Sequence, residues 1–206
     1  MSTLTGIGAA PGVAVGPAIL IRELPKPERK TVPPSAVAAE KERLAAALRR
    51  VRTELTDLQS GISPELQGVI RAQLLIMDDP ELIDAIESGL SDGKNAEWAV
   101  EEAADGFVRA ISALNNEYLR ERAGDVRDFA RRLLAALMRL PLPAIRPPTA
   151  GIVIAKDLTP SDTAGMDVTN VLGFATELGG PTSHSAIMAR AAGLPAIVGV
   201  SGLMEA

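Results

Sequence analysis

Gly179-Gly180-Pro181-Thr182-Ser183-His184-Ser185-Ala186-Ile187-Met188-Ala189-Arg190 decides how this chain is read. It holds the only histidine of the 206 residues, just after a diglycine and just before an apolar-periodic run. Ile187, Met188, Ala191 and Ala192 recur at helical spacing, and Gly193 supplies the stop. Pro181 ends the preceding extended segment, and Thr182 or Ser183 is a natural N-cap. His184 therefore falls in the first turn of a helix, where several backbone N–H groups lack an intrahelical partner. Such a position attracts anions and disfavours a protonated imidazole. A neutral imidazole beside a set of donors is a nucleophile next to a phosphate cradle. A lone histidine is more often a satisfied structural residue. Here the diglycine, the hydroxyls and the helix start converge on one point, which favours the functional reading.

Around this stretch the hydrophobic pattern is that of buried strands. Gly151–Ala155, Val171–Ala175 and Leu194–Val200 are short apolar runs, with a turn at Asp157–Thr163 between the first two. Near the start, residues 12–21 read as a short strand pair or a strand broken at Gly16-Pro17. Gly6, Gly8 and Gly12 have neither a strand before them nor a helix after them, so a dinucleotide loop is excluded and tight turns are expected. Two short strands are not stable alone, and their partners are sought beyond residue 150. The block between is then an insertion, entered through Pro25, Pro27, Pro33 and Pro34 and left through Pro141, Pro143, Pro147 and Pro148. This divides the chain into an α/β domain, residues 1–22 plus 144–206, and an inserted all-α bundle, residues 30–142.

Within the insertion, Ser35 is expected to cap a helix running to about Ser60, with a seam of Leu44, Leu48, Val51, Leu55 and Leu58. Ser63-Pro64-Glu65 starts a second helix ending near Met77, and Asp78-Asp79-Pro80-Glu81 caps a third. Asn95 caps a fourth, and a last helix covers about 120–139, its arginines paired with neighbouring carboxylates. Leu74, Leu75, Ile76 and Met77 form an apolar corner among Glu65, Asp78, Asp79, Glu81, Asp84, Glu87 and Asp92. An apolar patch with an acidic rim suits a basic protein partner.

Composition removes several classes of function. Apolar content of 47% with 23% charged residues excludes disorder, and aromatics at 2% make the core aliphatic. The absence of cysteine excludes disulfides and thiolate chemistry, and a single histidine excludes a multi-histidine metal centre. A net charge of -5 argues against a general nucleic-acid binder. No apolar run approaches the roughly 20 residues of a membrane span, and a cytoplasmic protein is expected.

The stretch 179–190, with Leu194-Pro195-Ala196-Ile197-Val198-Gly199 after it, resembles the phosphohistidine signature of the phosphoenolpyruvate-dependent phosphotransferases. Gly8–Ala14, Asp78–Leu82, Glu117–Asp128 and Asp157–Ser161 extend the resemblance to enzyme I of the bacterial sugar phosphotransferase system. The resemblance implies a swivelling α/β phosphohistidine domain with an inserted helical-bundle domain. It implies that His184 accepts phosphate from phosphoenolpyruvate, through the ring nitrogen farther from the backbone, and passes it to a histidine of the small carrier HPr. Thr163 then fixes the imidazole tautomer, and Thr182, Ser183 and Ser185 supply donors to the phosphoryl oxygens. Gln73, Leu75, Ile76, Asp78, Asp79, Glu81 and Arg122 are the expected HPr contacts. Pro181 stands where the usual enzyme I motif has arginine.

By the same resemblance the chain is an N-terminal fragment, its α/β domain cut short at Ala206. The family's barrel, which binds phosphoenolpyruvate and Mg2+ and forms a homodimer, is missing. This predicts a monomer without a metal site of its own, and an open apolar edge at Leu194–Val200. Competing readings are the phosphohistidine domain of a pyruvate phosphate dikinase or phosphoenolpyruvate synthase, an enzyme I of a nitrogen-linked system, and a non-catalytic interaction module. Acid-labile, alkali-stable phosphate on His184 separates the last from the rest.

Overall fold

Strands from the two ends of the chain share one sheet. The computed structural model describes residues 3–59, 64–113, 117–140, 147–159, 162 and 166–206, with the backbone alone at 58, 59, 64–66, 69, 117–122 and 184. Ile7–Ala10 (β1), Ala18–Ile21 (β2), Gly151–Ala155 (β3), Val171–Thr176 (β4) and Ala196–Val198 (β5) lie in the order β1-β5-β4-β3-β2. β1 runs antiparallel to β5, while the β2–β3, β3–β4 and β4–β5 pairs are parallel. Both N-terminal strands thus find partners beyond residue 150.

Two expectations change here. The first strand lies at 7–10 rather than within 12–21, so Gly8 belongs to a strand and pairs with Ile197. A Cβ on neighbouring Gly6 would stand 2.5 Å from the Val200 side chain and 2.8 Å from the Val198 carbonyl. Glycine serves there for close backbone approach, and Gly12, with φ of 131°, is the turn glycine. The expected open edge at 194–200 is also corrected. β5 is enclosed between β1 and β4, and the outer strands are β1 and β2.

Alternation along β3 buries Val153 and Ala155 on one face and leaves Ile152 and Ile154 half-buried on the other. Phe174, Ala196 and Val198 extend the buried face. A helix at His184–Ala191 lays Ala186 and Ala189 on it, three residues apart on one stripe. That helix ends in a Schellman motif, with Leu194 N–H bonded to Ala189 O and Gly193 at φ 66°.

The chain divides into two compact units, residues 1–23 with 143–206, and residues 24–142. The second contains five helices among the described residues: Val37–Gln59 (α1), Pro64–Met77 (α2), Pro80–Ser91 (α3), Ala96–Ser112 (α4) and Glu117–Leu137 (α5). The His184 helix is α6. Leu44, Val51 and Leu55 of the α1 seam are buried with Ile70, Leu82, Leu90, Val100 and Leu133 in a core of the bundle's own. Asp79 caps α3, accepting from the N–H groups of Glu81 and Leu82, with Pro80 at the first helical position.

The other caps differ from expectation. Ser35 lies inside a 3-10 turn, 34–36, that starts after Pro33 and carries no side-chain cap. Asn95 stands at the N-cap position of α4, but its amide is engaged elsewhere, with Lys30 N–H, Glu28 O and Glu97. Glu40 of α1 takes the Ala96 N–H instead, so a carboxylate from another helix closes the α4 terminus.

Candidate functional site

The site grows from the carboxyl end of β4. Parallel strands place ligand groups there because the chain leaves the sheet to start a helix N-terminus. After Thr176 the backbone stays pinned. Glu177 and Leu178 N–H groups bond to Ala155 O and Lys156 O, and Gly199 N–H reaches Leu178 O. Thr176, fully buried, donates its hydroxyl to Leu178 O at 2.7 Å. Gly179 then turns the chain with φ of 100°, and Ser183 N–H closes a turn onto Gly180 O at 2.9 Å.

Of the two candidate caps, Ser183 is the one used. Its backbone is extended, and its Oγ accepts the Ala186 N–H at 3.4 Å. His184 is thus the first residue of α6, where the N–H groups face out of the helix end. Thr182 is exposed beside it. Ser185 needs correction as an open phosphate donor. It is 1% exposed, and its hydroxyl lies 3.0 Å from Ser183 Oγ. Buried against the capping hydroxyl, it supports the cap. Thr163 lies outside the described residues, as do the side chains of Arg122 and His184. The turn before Thr163 is held by Asp162, which accepts from both N–H and hydroxyl of Thr159.

Arg190 carried no role in the sequence reading. Its Nη1 donates to Ala9 O at 2.9 Å and to Pro181 O at 3.0 Å, tying β1 to the turn before His184. The available signal was spacing: position 190 is two turns after Ser183 and shares its helix face.

On the bundle, the expected docking corner is smaller than the sequence suggests. Gln73 is fully buried and donates to Asp128 at 2.8 Å across to α5, and Ile76 and Met77 belong to the core. Gln73 and Ile76 therefore do not form a contact surface. Four consecutive helical residues are spread around the axis at about 100° each, so they cannot share one exposed face. Leu75 does, at 65% exposure, with Leu74 half-buried beside it. Asp78 is paired with Arg52, whose guanidinium its hydrogen bond holds above the ordinary value. Asp79 is the α3 cap, and Glu81 is exposed. Among the described residues, no group of three or more His, Asp or Glu is placed to hold a metal ion, and no helix is long and apolar enough to cross a membrane.

Comparison with known proteins covers both units. The family model described as PEP-utilising enzyme, N-terminal, matches residues 5–122, and that of the PEP-utilising enzyme mobile domain matches residues 147–206. A phosphoenolpyruvate-protein phosphotransferase from Listeria innocua is 40% identical over 203 residues, 95% of this chain and 35% of the relative. One from Streptomyces coelicolor is 39% identical over 209 residues, 99% of this chain and 37% of the relative. The chain thus spans about a third of the length of the curated relatives it matches. An NMR solution structure of an Enzyme I protein aligns with a TM-score of 0.83 at 34% identity, covering 98% of this chain and 84% of that one. The N-terminal domain of a nitrogen-type Enzyme 1 aligns at 0.66 with 28% identity, covering 96% and 84%.

Proposed function

This chain belongs to the PEP-utilising enzymes, and from that premise we propose that His184 is a phosphoryl-carrying histidine. In the whole protein it takes the phosphoryl group of phosphoenolpyruvate and hands it to a histidine of the carrier HPr. The observation that supports this most is the Ser183-capped start of α6 at residue 184, a helix N-terminus that follows a parallel strand, the kind of position that favours anions. In the first transfer an imidazole nitrogen forms a bond to phosphorus as the enol oxygen–phosphorus bond breaks and the enolate leaves. In the second the His184 N–P bond breaks as the carrier's imidazole takes the phosphorus. Both steps need in-line placement and donors on the equatorial oxygens rather than acid–base groups. The α6 amides and the Thr182 hydroxyl are the donors this chain offers, and Thr163 is the proposed orienting group.

HPr is proposed to dock on the bundle at Leu75 and Glu81, with Arg122 a further proposed contact. Phosphoenolpyruvate and Mg2+ are assigned to parts of the relatives outside the aligned third, and the setting is a cytoplasmic sugar phosphotransferase system. The described carboxylates of this chain do not form a cation site.

The test is an intact-mass time course on this chain with two donors, phosphorylated HPr and phosphoenolpyruvate with magnesium. Phosphorylated HPr should add one acid-labile, alkali-stable phosphoryl group reversibly, and His184→Ala should abolish it. Retained uptake in that variant would remove His184 as the carrier, and rapid uptake from phosphoenolpyruvate would remove the division of labour.

A further inference from the structure

Two backbone carbonyls near His184 have lost their regular partners for unrelated reasons. Ala9 falls between the pairs Gly8–Ile197 and Ala10–Ala196, an extra residue that breaks the β1–β5 ladder and turns its carbonyl out of it. Pro181 occupies the middle of the turn closed by Ser183 N–H on Gly180 O, where the carbonyl has no bond within the turn. Both meet Nη1 of Arg190, at 2.9 Å and 3.0 Å. Side chains on a helix lean toward its N-terminus, so a long one in the last turn of α6 reaches back to the first.

We infer that Arg190 is a positioning residue for phosphoryl transfer, locking the 180–183 turn to β1 and so fixing the donors around His184. The cheap motion of such a turn is a flip of its central peptide, between Pro181 and Thr182. That flip swings Pro181 O away and redirects the Thr182 N–H. Arg190 holds the carbonyl against it, and a charged donor makes a stronger bond than a neutral one. Because one nitrogen serves both carbonyls, a point donor can replace the guanidinium, unlike at a bidentate site.

This assignment rests on the His184 reading. The probe is phosphoramidate, a small donor that needs no docked protein: its P–N bond breaks, ammonia leaves, and a P–N bond to His184 forms. Uptake is followed by intact mass against donor concentration, and the same series is run with phosphorylated HPr. Arg190→Met should lower the maximal rate about ten- to a hundredfold, the size of loss a slightly misplaced group produces, with half-saturation little changed. Arg190→Lys should recover most of it. Uptake by Arg190→Met equal to wild type overturns the assignment. So does a loss that lysine does not relieve, or one confined to half-saturation. Labelling of the wild type by neither donor overturns the His184 reading itself, and this one with it.

Discussion

Gly179 and Gly180 look equivalent as letters, yet the backbone asks for glycine at only one of them. Gly179 has φ of 100°, and a Cβ there would lie 3.1 Å from Ser183 Oγ, whereas a Cβ on Gly180 meets nothing within 4 Å. Gly179→Ala should therefore destabilise the α/β unit by about 1–3 kcal/mol, the range for a residue forced into a sparsely populated conformation. It should also push the Ser183 hydroxyl off the Ala186 N–H and slow phosphoryl uptake. Gly180→Ala should change neither. Thermal melts and uptake rates of the two variants check this, and equal behaviour would show that the turn does not steer the cap. The histidine, the cap and the helix start were legible in the sequence because each is a local rule about adjacent residues. Arg190 was not, since its two carbonyls come from a strand bulge and a turn that local rules do not bring together.

The helices α1 to α5 follow from the hydrophobic period, but the use of each polar side chain depends on what packs nearby. Asn95 holds the segment at Glu28 and Lys30, while Glu40 closes α4 in its place. The acidic rim of α3 shows the same limit. Asp78 pairs with Arg52 and Asp79 caps the helix, whereas Glu81 is exposed and its side chain takes no part in either bond. Charge reversal should therefore act differently at neighbouring positions. Glu81→Lys should cost the bundle about 1 kcal/mol, because Glu81 lies in the first turn of α3, where the helix dipole favours an anion. It should also slow association with HPr at low salt, because rim charges act on encounter rate. Asp79→Ala should cost about 1 kcal/mol of bundle stability through the lost cap. Denaturant melts with stopped-flow association separate the two effects. Unchanged association of Glu81→Lys at low ionic strength would place the docking face elsewhere.

The presence of a helical domain and an α/β domain was legible because the hydrophobic period changes from that of helices to that of strands near residue 150. The position of β1 was not legible. A four-residue strand with glycine at its second position carries almost no pattern of its own, and only β5 makes it a strand. Each unit has its own core, centred on Leu133, Val51 and Leu55 in the bundle and on Val153 and Phe174 in the α/β unit. Stability lost in one core should then not be felt in the other. Leu133→Ala removes a fully buried side chain and should cost the bundle about 2–5 kcal/mol. The single tryptophan, Trp98, lies on α4 with the Arg29 and Lys94 cations 5.9 and 5.6 Å from its ring, so its fluorescence reports the bundle alone. Hydrogen exchange of peptides spanning β3 and β4 reports the α/β unit. In Leu133→Ala the fluorescence midpoint should fall while β3 and β4 exchange as in wild type. In Val153→Ala the exchange should quicken and the fluorescence midpoint should hold. A parallel shift of both reporters in either variant would mean that the chain's two passages between the units couple them into one cooperative fold.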